Sequence, residues 1–403
     1  MLVGEVTRAP RRRRILAKLA LVLAFALGAI TARAPARPPE ATTSSAAPAP
    51  AIVSPSVAPP SVVPSSVAPA LPARIDEPLV KIVAASDAPV IAVASEHRIW
   101  ISRDDGKTFA LALQGTGSVS ELFVEPSGRV YAWRFDIHDH HAADGAIHVQ
   151  SENELGIADL DGRERWRELT DNMVPQVARD GWIAGLGVGL GAAGVEIGRN
   201  GGDSWSFVPG GEQWNPWLIS LGDRGGVRFL ASRMGKNDAL DRGMSLLVAR
   251  DGRRATAVWS MPSAGPPSMP SDETPCAGFA GSTLHLVVTD RKAGPSGTRL
   301  LSVGGDGAIR TRVLAHLVGG VVLDPGLTCE IAGNEHAAYL ALDDVILRID
   351  TREPRVSDHT SNELRAIAVD SHGDLLVLAR RCVHRFHAAS RREDELVCGP
   401  ARS

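Results

Sequence analysis

The sequence predicts an all-β fold for residues 75–403, a β-propeller of seven blades, with six blades as the alternative. Three observations predict it. Turns built on glycine recur along the chain, the hairpins that they close are spaced like propeller blades, and short stretches such as "RIWIS" and "DVILRID" alternate apolar with polar residues. Helical periodicity of 3.6 residues is hard to find after residue 75.

The glycine turns follow one plan. "VEPSGRVYAW" and "VDSHGDLLVL" both contain an apolar residue, an acid, two small or polar residues, a glycine and then an apolar-rich strand. Glycine supplies the positive φ that such turns require, and an aspartate can bond its own backbone. Further turns of this kind are expected at Asp105-Gly106, Asp161-Gly162, Gly201-Gly202, Asp251-Gly252 and Asp306-Gly307.

The hairpins group into seven units of about 35 to about 60 residues, close to the periods of propeller blades. Six units remain open because the boundaries between 210 and 275 are not sharp. We expect residues 75–82 to supply a strand that closes the ring against the last unit, since closure leaves few exposed strand edges. The units start near Val83, Val119, Val177, Leu218, Cys276, Cys329 and Leu364.

The first 34 residues have the composition of an export segment. An arginine cluster at 11–14 precedes the apolar run Leu19–Ile30, which is shorter than the roughly 20 residues of a full membrane span. Ala32-Arg33-Ala34 fits a cleavage signal, but Pro35 follows it. A cleaved signal peptide and an uncleaved N-terminal membrane anchor therefore both stay open, and both place the rest of the chain outside the cytoplasm.

Residues 35–74 predict a disordered linker, because they consist almost entirely of Pro, Ala, Ser, Val and Thr. Frequent proline removes backbone donors and favours extended chain, so no core can form there. The net charge of the whole chain is -3 at pH 7, and its arginines are scattered. A basic nucleic-acid-binding surface is therefore not expected. We expect a monomer.

All four cysteines lie in the exported part, where an even count favours disulfides. Cys382 and Cys398 flank a segment with a polar, turn-like midpoint, so a hairpin there would bring the two thiols together. Cys276 and Cys329 would then pair with each other or stay buried and reduced. The absence of a CxxC motif gives no signal of a zinc or redox site.

One turn resembles a known family motif. "SRDDGKTF" resembles the Asp-box of BNR repeats in sialidase-like β-propellers, with matches at Ser102, Asp104, Gly106, Thr108 and Phe109. "GRNGGDSW" is similar to a degenerate copy that keeps Gly202, Ser204 and Trp205. The resemblance is to a superfamily, and it implies a structural hairpin on the outer side of a blade. Its carboxylate and hydroxyl would bond turn amides, so Asp104 is not expected to be a catalytic acid.

The same resemblance raises the possibility of a glycan-active hydrolase. Sialidases use an arginine triad, a tyrosine nucleophile activated by a glutamate, and an aspartic acid. The chain has only two tyrosines, Tyr131 and Tyr339, and each lies in a strand-like stretch where packing explains it. No catalytic residue is therefore assigned.

Two stretches are candidates for binding. "DIHDHHAADGAIH" (136–148) contains His138, His140, His141 and Asp144, ligand types that suit a divalent metal in an inserted loop, although a solvated polar loop is the more common outcome. No other cofactor is indicated. Trp214 and Trp217 flank Asn215-Pro216 and are expected on a connecting loop, either packed between blades or exposed to a ligand.

These observations together predict an exported, membrane-tethered or secreted propeller of the cell envelope. Its expected role is to bind an envelope protein or a polysaccharide, with no catalytic activity. The alternative is an extracellular glycan-active hydrolase on a sialidase-like propeller. The two differ in the central channel, because an enzyme needs converging carboxylates with perturbed pKa values there.

Overall fold

The computed structural model describes residues 73–400 except for fifteen short segments. Residues Leu71–Ser403 form one compact unit. The predicted export segment 1–34 and nearly all of the linker 35–74 lie outside the described residues. None of the described residues belongs to a helix long and apolar enough to cross a membrane. The segments left out are 116, 142–146, 170–172, 190–191, 200–203, 211–213, 235–239, 251–252, 262–275, 290–297, 315–328, 343–344, 351–355, 358–363 and 391.

The described chain forms seven four-stranded antiparallel sheets, which are the blades, and one additional strand. The additional strand, β1 (Ala73–Arg74), comes first. Blades 1 to 3 contain β2 (Lys81–Ala84), β3 (Ile91–Ala94), β4 (Arg98–Ser102), β5 (Ala110–Gln114); β6 (Val119–Val124), β7 (Val130–His141), β8 (Ile147–Ala158), β9 (Glu164–Glu168); β10 (Met173–Arg179), β11 (Trp182–Gly189), β12 (Ala192–Arg199), β13 (Ser204–Phe207).

Blades 4 to 7 continue the same up-and-down order. A short 3-10 turn at Asp223–Gly225 lies in blade 4. Their strands are β14 (Trp214–Leu221), β15 (Val227–Met234), β16 (Leu240–Ala249), β17 (Thr256–Met261); β18 (Ala277–Ala280), β19 (Thr283–Thr289), β20 (Thr298–Val303), β21 (Ile309–Val313); β22 (Cys329–Gly333), β23 (Ala338–Leu342), β24 (Val345–Arg348), β25 (Val356–Ser357); β26 (Leu364–Val369), β27 (Leu375–Ala379), β28 (Cys382–Phe386), β29 (Glu393–Cys398).

The first strand of each blade is the inner strand. Each inner strand contacts the inner strands of the blades before and after it, and β26 of blade 7 contacts β2 of blade 1, so the seven blades form a closed ring. The seven-bladed prediction is confirmed. Each predicted unit start lies within an inner strand or one residue before it.

The core consists of apolar clusters between neighbouring blades. Residues on β4 show the pattern: Ile99 and Ile101 pack towards blade 2, whereas Trp100 packs towards blade 7. Both faces of a blade are covered in a propeller, so its middle strands are apolar on both sides. This explains stretches such as Ala338–Leu342 ("AYLAL") and Leu375–Ala379 ("LLVLA"), where every residue is buried.

The directions of the strands define two ends of the ring. Neighbouring strands are antiparallel, so the turns after the first and third strands of every blade lie at one end, which we call the turn end. The turns after the second strands and the links between blades lie at the other, the connection end. Most of the segments outside the described residues belong to the connection end.

The ring is closed where blade 7 meets blade 1. β1 pairs in parallel with β29 as a fifth strand of blade 7, with Ala73 opposite Val397 and Arg74 opposite Cys398. The prediction that residues 75–82 supply the closing strand is thus wrong in its position. Ile75 adds one hydrogen bond to Cys398, and Lys81 already starts the inner strand of blade 1.

Candidate functional site

The turn between β4 and β5 bonds to itself. Ser102 is fully buried, and its Oγ accepts the Gly106 amide at 2.8 Å and donates to Asp104 Oδ1 at 2.8 Å. The Asp104 carboxylate also accepts the amide and the hydroxyl of Thr108, at 2.9 and 2.7 Å. Phe109 packs against the apolar cluster between blades 7 and 1.

The electrostatics of Asp104 match a structural role. Burial would raise its pKa, but the hydrogen bonds from Thr108 and Ser102 outweigh it and hold the pKa below the ordinary value. A catalytic acid requires the opposite shift, towards the working pH. The second motif occupies the same hairpin of blade 3, where Ser204 starts β13 and Trp205 lies opposite Gly198. Gly202 lies outside the described residues.

Four inner strands carry a β-bulge, at which one residue has no partner on the neighbouring strand. These residues are Ser120, Gln176, Trp217 and Arg365, on β6, β10, β14 and β26. All four are half-buried; Gln176 lies at the middle of its strand and the other three lie in the first half, towards the connection end. A bulge re-aims the side chain of the extra residue, and bulges are enriched next to functional sites.

Cysteines lie at the start of the inner strands of blades 5 and 6. Cys276, directly before β18, and Cys329, the first residue of β22, form a disulfide with their Cα atoms 5.6 Å apart. We call Ser120, Gln176, Trp217, Cys276, Cys329 and Arg365 the inner ring. Sequence reasoning missed it, although aligning the seven unit starts would have placed the two cysteines at similar positions.

Neighbouring inner strands are linked by polar contacts on one side of the ring. Arg365 of blade 7 donates to the carbonyl of Leu79, just before blade 1, at 3.0 Å. Lys81 Nζ of blade 1 lies 3.6 Å from Glu121 Oε2 of blade 2. Blades 3 and 4 present different chemistry, an amide in Gln176 and an indole in Trp217.

The position of the tryptophans differs from the expected loop. Trp214 and Trp217 both lie within β14, since the bulge between Pro216 and Leu218 accommodates the proline. Trp214 packs against the apolar cluster of blades 3 and 4. Trp217 donates from Nε1 to Ser232 Oγ at 2.9 Å, which fixes the indole while part of it stays exposed.

The turn end of the channel is crossed by an ion-pair cluster. Arg179 of blade 3 lies 2.7 Å from Glu335 Oε1 of blade 6 and 3.0 Å from Asp223 Oδ1 of blade 4. His336 of blade 6 contacts the Ser86 carbonyl of blade 1 at 3.2 Å. Blades 3 and 6 lie on opposite sides of the ring, so these contacts span its centre.

Both tyrosines lie in the core. Tyr131 is fully buried and donates to Glu125 Oε1 at 2.7 Å. Its pKa is raised, chiefly by burial and then by the charge of Glu125. Tyr339 is buried, donates to the Gly373 carbonyl at 3.0 Å, and has a pKa raised to about 12, mainly by burial. A tyrosine nucleophile needs access to substrate and an accessible phenolate, and neither residue has them.

Blade 7 contains the densest group of titratable residues. His387 bridges Asp374 and Asp394 at 2.7 and 2.9 Å. Cys382, His384 and Glu395 come close enough to hold a metal ion. However, Cys382 is bonded to Cys398, and a disulfide sulfur is no thiolate ligand. We interpret this group as structural.

The histidine-rich stretch is a hairpin and not the inserted loop that was expected. β7 continues to His141 and β8 begins at Ile147, so His138, His140 and His141 lie within a strand. Asp144 lies outside the described residues. The backbones of the three predicted histidines thus lie on one strand, and the metal site stays a prediction.

Comparisons with known proteins give no family for this chain. No family model matches it, and no curated protein matches it. Solved structures to which it is similar include the β-propeller domain of the trilobed protease from Pyrococcus furiosus, with 11% identity, a TM-score of 0.49, and coverage of 80% of this chain and 98% of that one. An acylaminoacyl peptidase from Pyrococcus horikoshii has 10% identity and a TM-score of 0.49 over 79% of this chain. YCF48 bound to D1 peptide has 9% identity and a TM-score of 0.44, with 77% and 92% covered.

The present chain spans only about half the length of some of these proteins, 52% of the acylaminoacyl peptidase and 54% of TolB from Acinetobacter baumannii. With TM-scores of 0.38 to 0.49 and identities of 9 to 14%, these likenesses assign no family. The membership of the sialidase-like superfamily inferred from the Asp-box therefore stays a prediction.

Proposed function

We propose that the protein is an exported β-propeller that binds a protein or polysaccharide partner of the cell envelope at the inner ring, entered from the connection end. The proposal rests on Gln176 and Trp217, which lie at the bulges of two neighbouring inner strands. Gln176 is half-buried at a bulge and has no hydrogen-bond partner among the described residues. Trp217 sits at the bulge of the neighbouring inner strand with its indole partly exposed.

The chemistry of this pair suits a ligand rich in hydrogen-bonding groups. A primary amide both donates and accepts, and an indole offers a flat apolar face that stacks on sugars or on peptide side chains. The ion pairs of Arg179 with Glu335 and Asp223 cross the turn end, which favours entry from the connection end. A binding site with a rigid support loses little conformational entropy when it is occupied.

Export is supported by the cysteines. Both disulfides use all four cysteines of the chain, and such pairing persists in oxidising compartments. The arginine cluster and the apolar run at the N-terminus are the proposed export signal. Whether the segment 1–34 anchors the protein or is cleaved is decided by the mass of the mature chain.

The alternative of a sialidase-type hydrolase is not favoured by any described residue. A tyrosine nucleophile is excluded by the burial of the only two tyrosines, Tyr131 and Tyr339. A different catalytic apparatus would need carboxylates in the channel. The described inner strands carry two carboxylates: Glu121 is paired with Lys81, and Glu330 on β22 also has an interaction partner.

The test compares capture by matched variants. The whole chain is immobilised, incubated with a detergent extract of the producing cells' envelope, and the retained proteins and glycans are identified by mass spectrometry. Trp217→Leu and Gln176→Leu should lose the species that the wild type retains. Trp166→Leu and Gln114→Leu change the same residue types on the outer strands and should keep it. Equal retention by all variants would refute binding at the inner ring.

A further inference from the structure

Arg228 lies at the turn end, in the space between blades 4 and 5. It is the second residue of β15, opposite Ser220 on β14 and Val248 on β16. Side chains alternate between the two faces along a strand. Phe229 packs in the apolar cluster of blades 3 and 4, whereas Leu230 packs with residues of blade 5. Arg228 therefore points towards blade 5, on the same side of the sheet as Leu230.

Two glycines lie against the guanidinium of Arg228 and leave it open on these sides. A methyl group at Gly305, in the turn between β20 and β21 of blade 5, would lie 3.5 Å from Arg228 Nε. A methyl group at Gly222, directly after β14, would lie 3.4 Å from Arg228 Nη2. The Arg228 side chain is half-buried, and it makes no hydrogen bond or ion pair with any residue that the structure describes. The guanidinium is thus available to a ligand that approaches from the turn end.

The described carboxylates nearby are engaged by other groups. Asp223 and Glu335 pair with Arg179 at 3.0 and 2.7 Å. Asp306, in the turn between β20 and β21, accepts the amide of Ala308 at 3.0 Å. Among the described residues, the ion pair that would balance the charge of Arg228 is therefore missing.

The turn end of blade 4 has an excess of positive charge. Burial lowers the pKa of Arg228, and the charges of Arg250 and Arg179 lower it further, whereas Asp223 and Glu335 oppose this with a smaller effect. A half-buried cation in a positive potential is unfavourable for the fold, and an anionic ligand would offset this. Asp223 is the only described acid at this turn end, against five arginines: Arg224, Arg228, Arg250, Arg253 and Arg254.

We propose that Arg228 is the centre of a second binding site, for a phosphate or carboxylate group, between the turn ends of blades 4 and 5. A guanidinium presents its N–H donors as a planar fork that binds two oxygens of one phosphate or carboxylate. Arg250, which is exposed directly after β16, adds charge of the same sign. The site lies at the opposite end of the ring from the proposed entrance to the inner ring, so it does not depend on the proposed function.

The experiment measures thermal unfolding of the whole chain in chloride, in phosphate and in acetate at equal pH and ionic strength. At least one of the two oxyanions should raise the melting temperature of the wild type by about 2 °C, because a ligand that binds only the folded state stabilises it. Arg228→Met should abolish this rise. In chloride it should melt at or above the wild-type temperature, because an unpaired charge has been removed. Arg310→Met is the matched control, since it removes an exposed arginine from the outer strand β21 of blade 5, and it should respond like the wild type.

Calorimetry with inorganic phosphate and with acetate distinguishes the two ligand groups. Arg228→Met should weaken binding of the preferred anion at least about tenfold. Arg228→Lys should bind with an affinity between those of Arg228→Met and the wild type, because lysine keeps the charge but not the fork. Three results would overturn the proposal: equal melting temperatures of the wild type in all three anions, a wild-type response in Arg228→Met, or a lower melting temperature of Arg228→Met in chloride, which would make Arg228 a structural residue.

Discussion

Two junctions between neighbouring blades are held by different means. Blades 5 and 6 are joined covalently by the disulfide between their inner strands, Cys276–Cys329. Blades 7 and 1 are joined by strand β1 and by a buried ion cluster. Arg385 of blade 7 makes a bidentate contact to Asp105 of blade 1 at 2.6 and 3.1 Å, and its Nε lies 2.9 Å from Asp370 Oδ2.

The two junctions also differ in the length of chain that links one blade to the next. The inner strands of blades 5 and 6 each follow a link of 15 residues, 262–276 and 314–328, whereas the other links are much shorter. A long link restrains the next blade weakly, because loop-closure entropy grows with length. The disulfide compensates there. At the junction of blades 7 and 1 no link exists, so side chains and β1 hold the ring together.

The largest effect is expected from removing Arg385. Its side chain is 6% exposed and that of Asp370 is 3% exposed, so Arg385→Met leaves a buried carboxylate unpaired. Burial already raises the pKa of Asp370, and Arg385 opposes that shift. We expect a loss of about 3–5 kcal/mol in the free energy of unfolding, measured by urea denaturation.

Arg392→Met is the control for this variant. Arg392 pairs with Asp394 but its side chain is 71% exposed, so the loss should stay below about 1 kcal/mol. Equal losses for the two variants would show that the cluster does not hold blades 7 and 1 together.

Removing each disulfide should lower the free energy of unfolding, and the loss should be larger for the disulfide that closes the longer segment. Cys276–Cys329 closes a segment with a sequence separation of 53, and Cys382–Cys398 one of 16. In the chain-entropy model the paired alanine variants lose about 4 and about 3 kcal/mol respectively. Thermal unfolding of both double variants measures this. A greater loss for Cys382→Ala/Cys398→Ala would contradict the view that the long links need the inter-blade bond.

A smaller effect is expected at Gly106, in the turn between β4 and β5. Its φ is +84°, and a methyl group there would lie 2.9 Å from Leu396 Cδ1 of blade 7. Gly162 has a φ of +82° with nothing nearby, so Gly162→Ala measures backbone strain alone, about 1 kcal/mol. Gly106→Ala should lose roughly 1–3 kcal/mol more in denaturant unfolding. Equal losses would mean that the turn does not pack against blade 7.

The smallest effect concerns the pH dependence of blade 7. Hydrogen bonds to Asp394 and then Asp374 raise the pKa of His387 despite its partial burial. A raised pKa means that protonated His387 stabilises the fold below the ordinary imidazole pKa, and that this contribution is lost as the pH rises through the folded-state value. Compared with His387→Gln, the wild type should lose up to about 1 kcal/mol between pH 6 and 9. Identical pH profiles would refute the contribution.

Much of the architecture could be predicted from local signals. The unit starts fall in or next to the inner strands because glycine turns and apolar strands recur once per blade. Ser102–Phe109 was predicted as a self-bonded turn because its sequence resembles the Asp-box. These features depend on residues close together in the sequence.

The proposed binding residues could not be predicted in the same way. Pro216 was expected to end a strand, but a bulge beside Trp217 accommodates it within β14. The histidines were expected in a loop because polar residues dominate 136–148, yet the long register of β7 and β8 places them in strands. Gln176 carries no motif. Bulges and register depend on the partner strand, which the local pattern does not specify.

We propose that the protein is an exported, seven-bladed ring in which the inner strands of neighbouring blades lie side by side. Non-reducing peptide mapping of the protein purified from its producing cells tests it most directly. The account predicts two linked peptide pairs, Cys276 with Cys329 and Cys382 with Cys398, and no free thiol. Free thiols would contradict export into an oxidising compartment, and any other pairing would contradict the order of blades 5, 6 and 7 in the ring.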